Sequence, residues 1–466
     1  MNRKSGVFKK SAAVVLTTVL LLVSAACGSS QEKTESGNSS PSANNGASTA
    51  APAEVVEITV WDKPHADDPK KPFYEQEFAE FDNKYPNIKV NHVEQTKTKE
   101  REQFMTAVAG GEQPDLYQTP FPTMELYIQQ GITADLTDRW NSFADKDQFL
   151  PSSLEGALKD GKVYGVPRDM YIMGLMYNKK LFQEAGLDPN KAPANWDEFT
   201  DYAKKLTDPG NNKNGYDILG MDWADWFFEY YVWQAGGDLT EKNADGSVKL
   251  TFTSDAAVAA LQFYKDLKFT HQVTQKNVVQ SLDDNQKDFY TGRTAMQVAG
   301  SYWFGDMISK GMNINDLGFA PLPAGPSGKS PGQVGGAYWI LNPKASQEKQ
   351  DAAWTYATFV SSKEYMEADL QYQKDNGIFP NLLTVRNDID LGNYIADFPA
   401  DISEGAKKAA EVTHLEYFLK ERLSPYIVKA VQSVLLNENA DPKAELQKAQ
   451  DLAQKEVADK YNAELK

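Results

Sequence analysis

The chain has 466 residues, 41% of them hydrophobic, which is enough for a large core and for two or three domains. Lys and Arg number 48 against 65 Asp and Glu, a formal net charge of −17, and this argues against nucleic acid or an anionic membrane surface as the main partner. With one cysteine the chain has no internal disulfide, so its core rests on packing alone.

Residues 1–26 have the build of a secretory signal: Arg3, Lys4, Lys9 and Lys10, then an apolar run over 12–23, then Ser24, Ala25 and Ala26. Cys27 follows directly. The run from Val23 to Gly28 resembles a bacterial lipobox, whose cysteine thiol receives a diacylglyceryl group and becomes the mature N-terminus. It departs from the motif at Ser24, where Leu is usual. The plainer alternative is a signal cut near Ala26 with Cys27 incidental. Two or more acyl chains, at about 0.8 kcal/mol per buried CH₂, suffice for stable anchoring. Residues 27–53 then give the lipidated cysteine and a Ser/Asn/Gly/Ala/Pro tether without periodicity, with a random-coil reach of about 25–30 Å.

The globular chain opens with an alternating strand over 55–61 that ends at Trp61-Asp62-Lys63. Phe78, Phe81 and Tyr85 form one face of a helix stopped by Pro86, and 88–93 reads as the next strand. A second unit repeats the order: a helix marked by Phe104, Met105 and Val108 ends at Gly110-Gly111, and the strand at 115–118 runs into Thr119-Pro120. Such alternation predicts a parallel sheet with helices on both faces and ligands beyond the carboxyl ends of its strands.

The apolar run 170–177 is too short and too continuous for an amphipathic helix and reads as a buried strand. A short helix with Leu181, Phe182 and Ala185 on one face stops at Gly186. Asn195 and Glu198 then form a capping-box pattern ahead of Phe199, Tyr202, Ala203 and Leu206. Residues 221–237 crowd three Trp and two Tyr together. Trp226, Tyr230 and Trp233 at i, i+4, i+7 suit a packed face, whereas Trp223 fits that pattern less well. A hairpin turn at 242–247 contains Asp245-Gly246. Further strands are predicted at 295–299, 317–321 and 337–341, and a surface loop at 323–332. Helices are predicted at 352–360, 365–372 and 402–408, with a final helix starting at Asp441-Pro442.

Tyr164-Gly165-Val166-Pro167, Leu175-Met176-Tyr177-Asn178-Lys179, Leu181-Phe182, Ala185-Gly186-Leu187 and Trp196-Asp197-Glu198-Phe199 together resemble the signature of family 1 extracellular solute-binding proteins, the sugar receptors of ABC importers. Pro114-Asp115-Leu116-Tyr117, Gly292-Arg293-Thr294-Ala295-Met296, Gly335-Gly336 and Trp339-Ile340 extend the match in the family's order over roughly 55–466. The resemblance implies an α/β, two-lobed, periplasmic-binding-protein-like fold. Each lobe would be a mostly parallel sheet flanked by helices, with the ligand in the cleft between them. The implied lobes are 54–167 with 300–343, and 168–299 with 344–466. Also implied are a carbohydrate ligand, the membrane permease of an ABC transporter as partner, and a monomer lipid-anchored at the outer face of the bacterial cytoplasmic membrane.

An oligosaccharide site needs apolar platforms for sugar faces and planar polar groups for ring hydroxyls. Carried over from the family, the cleft positions are Trp61, Asp62 and Lys63, then Gln118 and Thr119, then Arg168, Asp169 and Tyr171. The second lobe adds Trp223, Trp226, Tyr302 and Trp303. Gly336, Tyr338 and Trp339 lie near the crossing back, and Asn376 completes the set. Each aromatic has a packing alternative, and Arg168 has Asp169 beside it as a ready ion-pair partner. His65, His92, His271 and His414 are scattered, and the loop 241–252 ends in Phe252 where a calcium loop needs a bidentate Glu, so no metal is predicted. Nor does the chain carry a phosphate-binding loop or a nucleophile elbow, and no cofactor or catalysis is predicted. Two other readings stay open: a surface glycoside hydrolase or polysaccharide lyase, and a receptor for a non-sugar solute.

Overall fold

In the computed structural model, which describes residues 55–94, 100–221, 223–395 and 399–465, the chain enters its sheet through β1 (Val56–Lys63), where Ile58 and Val60 are fully buried. Helix α1 (Lys71–Lys84) places Phe73 and Phe81 inward, and β2 (Ile88–Glu94) returns parallel to β1. Helix α2 (Glu100–Gly110) leads to β3 (Leu116–Pro120), parallel to β1 on its other edge. The signal, Cys27 and the tether lie outside the described residues.

The predicted buried strand is longer than its apolar core. Strand β4 (Val166–Asn178) takes in Pro167, Arg168 and Asp169 as well. Asn178 ends it by capping the next helix, its side chain accepting from the Leu181 N–H. Helix α3 (Trp196–Leu206) starts as its sequence pattern says, with Asn195 Oδ1 accepting from Glu198 N at 2.9 Å. The Glu198 carboxylate, however, returns to Ala194 N at 2.9 Å, one residue before the cap.

Strand β5 (Asn214–Tyr216) and helix α4 (Ala224–Gln234) follow, and every residue of α4 is buried. The hairpin is present as Thr240–Lys242 paired with Val248–Leu250. Strands β6 (Thr294–Gly300), β7 (Leu317–Ala320) and β8 (Gly332–Leu341), helices α5 (Gln347–Val360) and α6 (Lys363–Asp375), the short β9 (Thr413–His414) and helix α7 (Lys420–Leu436) complete the frame.

The sheet order is β2-β1-β3-β8-β4-β6-β5, with β7 also on β4 and β9 on β8. Strands joined through helices run parallel, β1 with β2 and β3 and β5 with β6. Those that meet at the middle run antiparallel: β8 with β3 and β4, and β6 and β7 with β4. Within residues 300–343, β8 pairs with β3 and β7 with Leu175–Asn178 at the far end of β4. Within residues 344–466, α5 packs on β1 and α6 on α1, while α7 packs on α4. Strand pairing decides the first and helix packing the second, and both are long-range. Among the described residues no helix is long and apolar enough to cross a membrane.

Beside β5, Asp217 is 4% exposed and neither carboxylate oxygen makes a well-aligned hydrogen bond. Burial, with Asp288 nearby, pushes its pKa up to about 7. A raised carboxyl pKa contributes stability at low pH that is lost as pH climbs through the folded-state value. Asp217→Asn should therefore stabilise the fold more at pH 8 than at pH 5, by about 2–3 kcal/mol. Denaturant melts of parent and variant at the two pH values measure this, and an equal effect at both would show that Asp217 is ionised throughout.

Candidate functional site: a cavity at the carboxyl ends of the first strands

Beyond the carboxyl ends of β1 and β3 lies a cavity of about 420 Å³, lined from β1, α1, β4, β8, α5 and α6. Trp61 walls it from β1, held edge-on to Tyr117 at 5.9 Å and Phe104 at 6.2 Å. The next residue, Asp62, is fixed from both sides: Oδ1 meets His92 Nδ1 at 2.7 Å, and Oδ2 accepts from the Tyr356 hydroxyl. His92 is in turn stacked on Phe78 at 3.6 Å. Lys63 stands exposed, while Gln118 lines the cavity from β3.

Arg168 enters through an irregularity in the ladder. Ala337 of β8 pairs with Asp169 and Tyr338 with Pro167, so Arg168 is the extra residue of a β-bulge, a device that re-aims a side chain beside a site. Its guanidinium pairs with Asp169 and lies 5.5 Å from the centre of the Trp339 ring. Burial pulls its pKa down, but Asp169 more than offsets this and the group stays cationic. Trp339 is 2% exposed, lines the cavity, and has no partner for its Nε1–H. A buried donor left unpaired costs about 1–3 kcal/mol.

Helix α6 supplies a part of the wall that the sequence analysis missed. Lys70 Nζ donates to both oxygens of Asp369, at 3.0 and 2.8 Å, with Tyr74 and Tyr365 alongside. Tyr365, Asp369 and Gln373 recur at i, i+4, i+8 on that helix and all line the cavity. That spacing was readable, but it points to a site only once α6 is known to dock on α1.

A second group of expected residues gathers two positions further along β4. Tyr171 meets Tyr302 at 5.0 Å between ring centres, and Tyr302 meets Trp303 at 6.1 Å. Trp226 donates from Nε1 to Gln333 Oε1 at 3.0 Å, Gln333 Nε2 donates to Glu416 Oε1 at 3.2 Å, and Glu416 pairs with Lys420 at 2.9 Å. Lys420 Nζ lies 5.1 Å from the Trp226 ring centre. Burial raises the pKa of Glu416, opposed by Lys420, and burial together with Glu416 raises that of Tyr171. Trp226 and Trp303 are each 3% exposed, whereas Trp223 is 55% and Tyr302 43% exposed.

Of the expected positions, Trp61, Asp62, Lys63, Gln118, Arg168, Asp169 and Trp339 come together in the cavity. Tyr171, Trp223, Trp226, Tyr302 and Trp303 form the second group. Four others are engaged elsewhere. Thr119 is fully buried and bonds Thr123 at 2.5 Å. Tyr338 stacks on Phe121 at 4.0 Å with its hydroxyl accepting from Gly156 N. Asn376 follows α6 and donates to Tyr372 O at 2.9 Å. Gly336 has φ of 152°, and a Cβ there would lie 2.2 Å from Asp169 O, so it serves the close approach of β8 to β4.

This geometry defines an α/β receptor of the two-lobed class, with polar and aromatic groups collected where its crossing strands meet. Residues 66–367 match the bacterial extracellular solute-binding protein family, and the chain belongs to that family. It is 25% identical to a binding protein of Brucella abortus (strain 2308) over 354 residues, 73% of this chain and 83% of that one. To the diacetylchitobiose binding protein DasA of Streptomyces coelicolor it is also 25% identical, over 303 residues, 64% of this chain and 68% of the relative. In fold it resembles the sugar-binding protein MalE of Xanthomonas citri, with a TM-score of 0.71 at 19% identity, covering 88% of this chain and 98% of that one.

Trp223 has φ of 75°, the left-handed region in which a bulky residue is strained. As the residue before α4 it occupies a position glycine accepts readily. Trp223→Gly should leave the melting temperature unchanged or raise stability by up to about 1 kcal/mol. A clear loss in thermal melts would mean that the exposed ring carries packing.

Proposed function

We propose that this protein captures a sugar, an oligosaccharide, in the cleft between its lobes and delivers it to the permease of an ABC importer. One lobe is built on β1, β2 and β3 with α1, α2, α5 and α6. The other is built on β5, β6 and β7 with α3, α4 and α7, and β4 and β8 pass between them. The expected cleft residues in the two groups serve as the binding surface. The observation that carries the reading is the cavity itself: two Trp side chains flank carboxylates already oriented by their own hydrogen bonds, next to a buried N–H without an acceptor. Sugars present apolar C–H faces and hydroxyls that both donate and accept, so this combination suits them.

Titration calorimetry against a panel of oligosaccharides tests the reading, with chromatography of the recovered sugar. A receptor binds one of them and returns it unchanged; cleavage would favour the hydrolase or lyase. Trp339→Phe keeps the ring and removes the donor, so affinity should fall roughly fivefold, about 1 kcal/mol, with little change in stability. Equal binding by parent and variant would remove Trp339 from the site.

We also propose that Cys27 is the lipid attachment site, which would hold the body at the outer face of the cytoplasmic membrane as a monomer on its tether. The support is its place directly after small residues at the end of the signal. Cys27→Ala should leave the protein unprocessed or release it to the medium. A variant that is processed and still membrane-bound would sink the proposal.

A further inference from the structure

We infer that the cavity takes an uncharged polyhydroxy ligand and excludes anionic ones such as uronates and phosphate esters. This rests on the sugar-receptor reading and adds the ligand's charge to it. The lining holds five carboxylates, Asp62, Asp68, Glu100, Asp169 and Asp369, against the fixed cations Lys63, Lys70 and Arg168. The two less exposed cations are already engaged. Arg168 pairs with Asp169, and Lys70 holds both oxygens of Asp369. An anion reaching Lys70 would have to displace the partly buried carboxylate of Asp369 and leave it uncompensated, which is costly away from water, and one reaching Arg168 would stand against the negative charge of Asp169. Lys63 is exposed, where solvent and salt screen its charge.

An amine meets the mirror-image difficulty. Asp62, the carboxylate most enclosed, has His92 on one oxygen and the Tyr356 hydroxyl on the other. Asp169 and Asp369 each carry a cation already, Asp68 accepts from Lys70 N, and Glu100 is exposed, where solvent and salt screen its charge. What remains is a set of lone pairs on oriented carboxylates, the N–H groups of Arg168 not used by Asp169, and the unpartnered Nε1–H of Trp339. A hydroxyl is the group that answers both kinds, since it donates and accepts through one oxygen. The second group along β4 repeats the arrangement, Lys420 being paired with Glu416.

The test is a thermal-shift panel on the full mature chain followed by calorimetry on its strongest hit. The panel holds maltotriose, maltotetraose and N,N′-diacetylchitobiose, the free diamine chitobiose, digalacturonate and sn-glycerol 3-phosphate. The largest shift should come from an uncharged saccharide, with a Kd that changes less than about twofold between about 50 and about 500 mM salt. A largest shift from digalacturonate, glycerol phosphate or chitobiose overturns the inference. Digalacturonate as winner would do so while leaving the sugar-receptor reading intact. In Asp169→Asn the Arg168 guanidinium loses its internal counter-ion, and digalacturonate should bind roughly tenfold tighter than to the parent. Equal binding by the two would overturn the role given to Asp169 in excluding anions.

Discussion

The structure depends on one strand shared by two sets of neighbours. Along Val166–Ile172, β4 is hydrogen-bonded to β8, and along Met173–Asn178 to β6 and β7. At roughly 3.3 Å per residue its thirteen residues span about 43 Å. Both halves of the sheet therefore take their position from a single backbone. The pairing also needs close approach. A Cβ at Gly335 would stand 2.2 Å from the Tyr171 ring, and one at Gly336 would stand 2.2 Å from Asp169 O. Two glycines in succession let β8 lie against the part of β4 that carries Arg168, Asp169 and Tyr171, and the bulge there turns Arg168 toward Trp339.

Around that strand, charge is arranged in short closed circuits. Asp62 is held by His92 and Tyr356, Asp369 by Lys70, Asp169 by Arg168 and Glu416 by Lys420. The first two join distant parts of the chain, the third sits at the strand bulge, and Glu416 is tied to distant Gln333 as well as to Lys420, so each orients a polar group as well as neutralising it. Partly buried pairs of this kind add little net stability, because desolvation offsets most of the attraction. Their consequence is positional: carboxylate oxygens stand at fixed points with lone pairs unspent.

The aromatics divide by the same logic. Helix α4 is buried on all sides, so its tryptophans and tyrosines meet neighbours all round, and Trp226 reaches the polar group through its N–H on Gln333 and its ring face beneath Lys420. Trp223 and Tyr302 stand at element ends, exposed to solvent. Helical spacing put Trp226, Tyr230 and Trp233 on a packed face, and their burial agrees. Whether a buried ring also borders a ligand is a question of what lies beyond its edge.

By itself the sequence determined the local elements and the family. Alternation gave β1, the stop at Pro86 set off β2, Asn195 and Glu198 placed the start of α3, and Asp441 with Pro442 placed the helix Pro442–Ala453, Asp441 accepting from Ala444 N. These are signals of one to eight neighbouring residues, and short-range hydrogen bonding and periodicity write them directly. The strand-end residues Trp61, Asp62 and Lys63 were legible for the same reason, since the carboxyl end of a parallel strand is a place that order alone predicts. Only the tertiary structure decided which half of the sheet β7, α5 and α6 join, that Arg168 occupies a bulge, and that Tyr74, Tyr356, Tyr365 and Asp369 share a cavity with Trp61. Those outcomes depend on pairings between residues up to three hundred positions apart, such as Tyr356 with Asp62. Backbone register and side-chain packing select such pairings, and no window of sequence contains them.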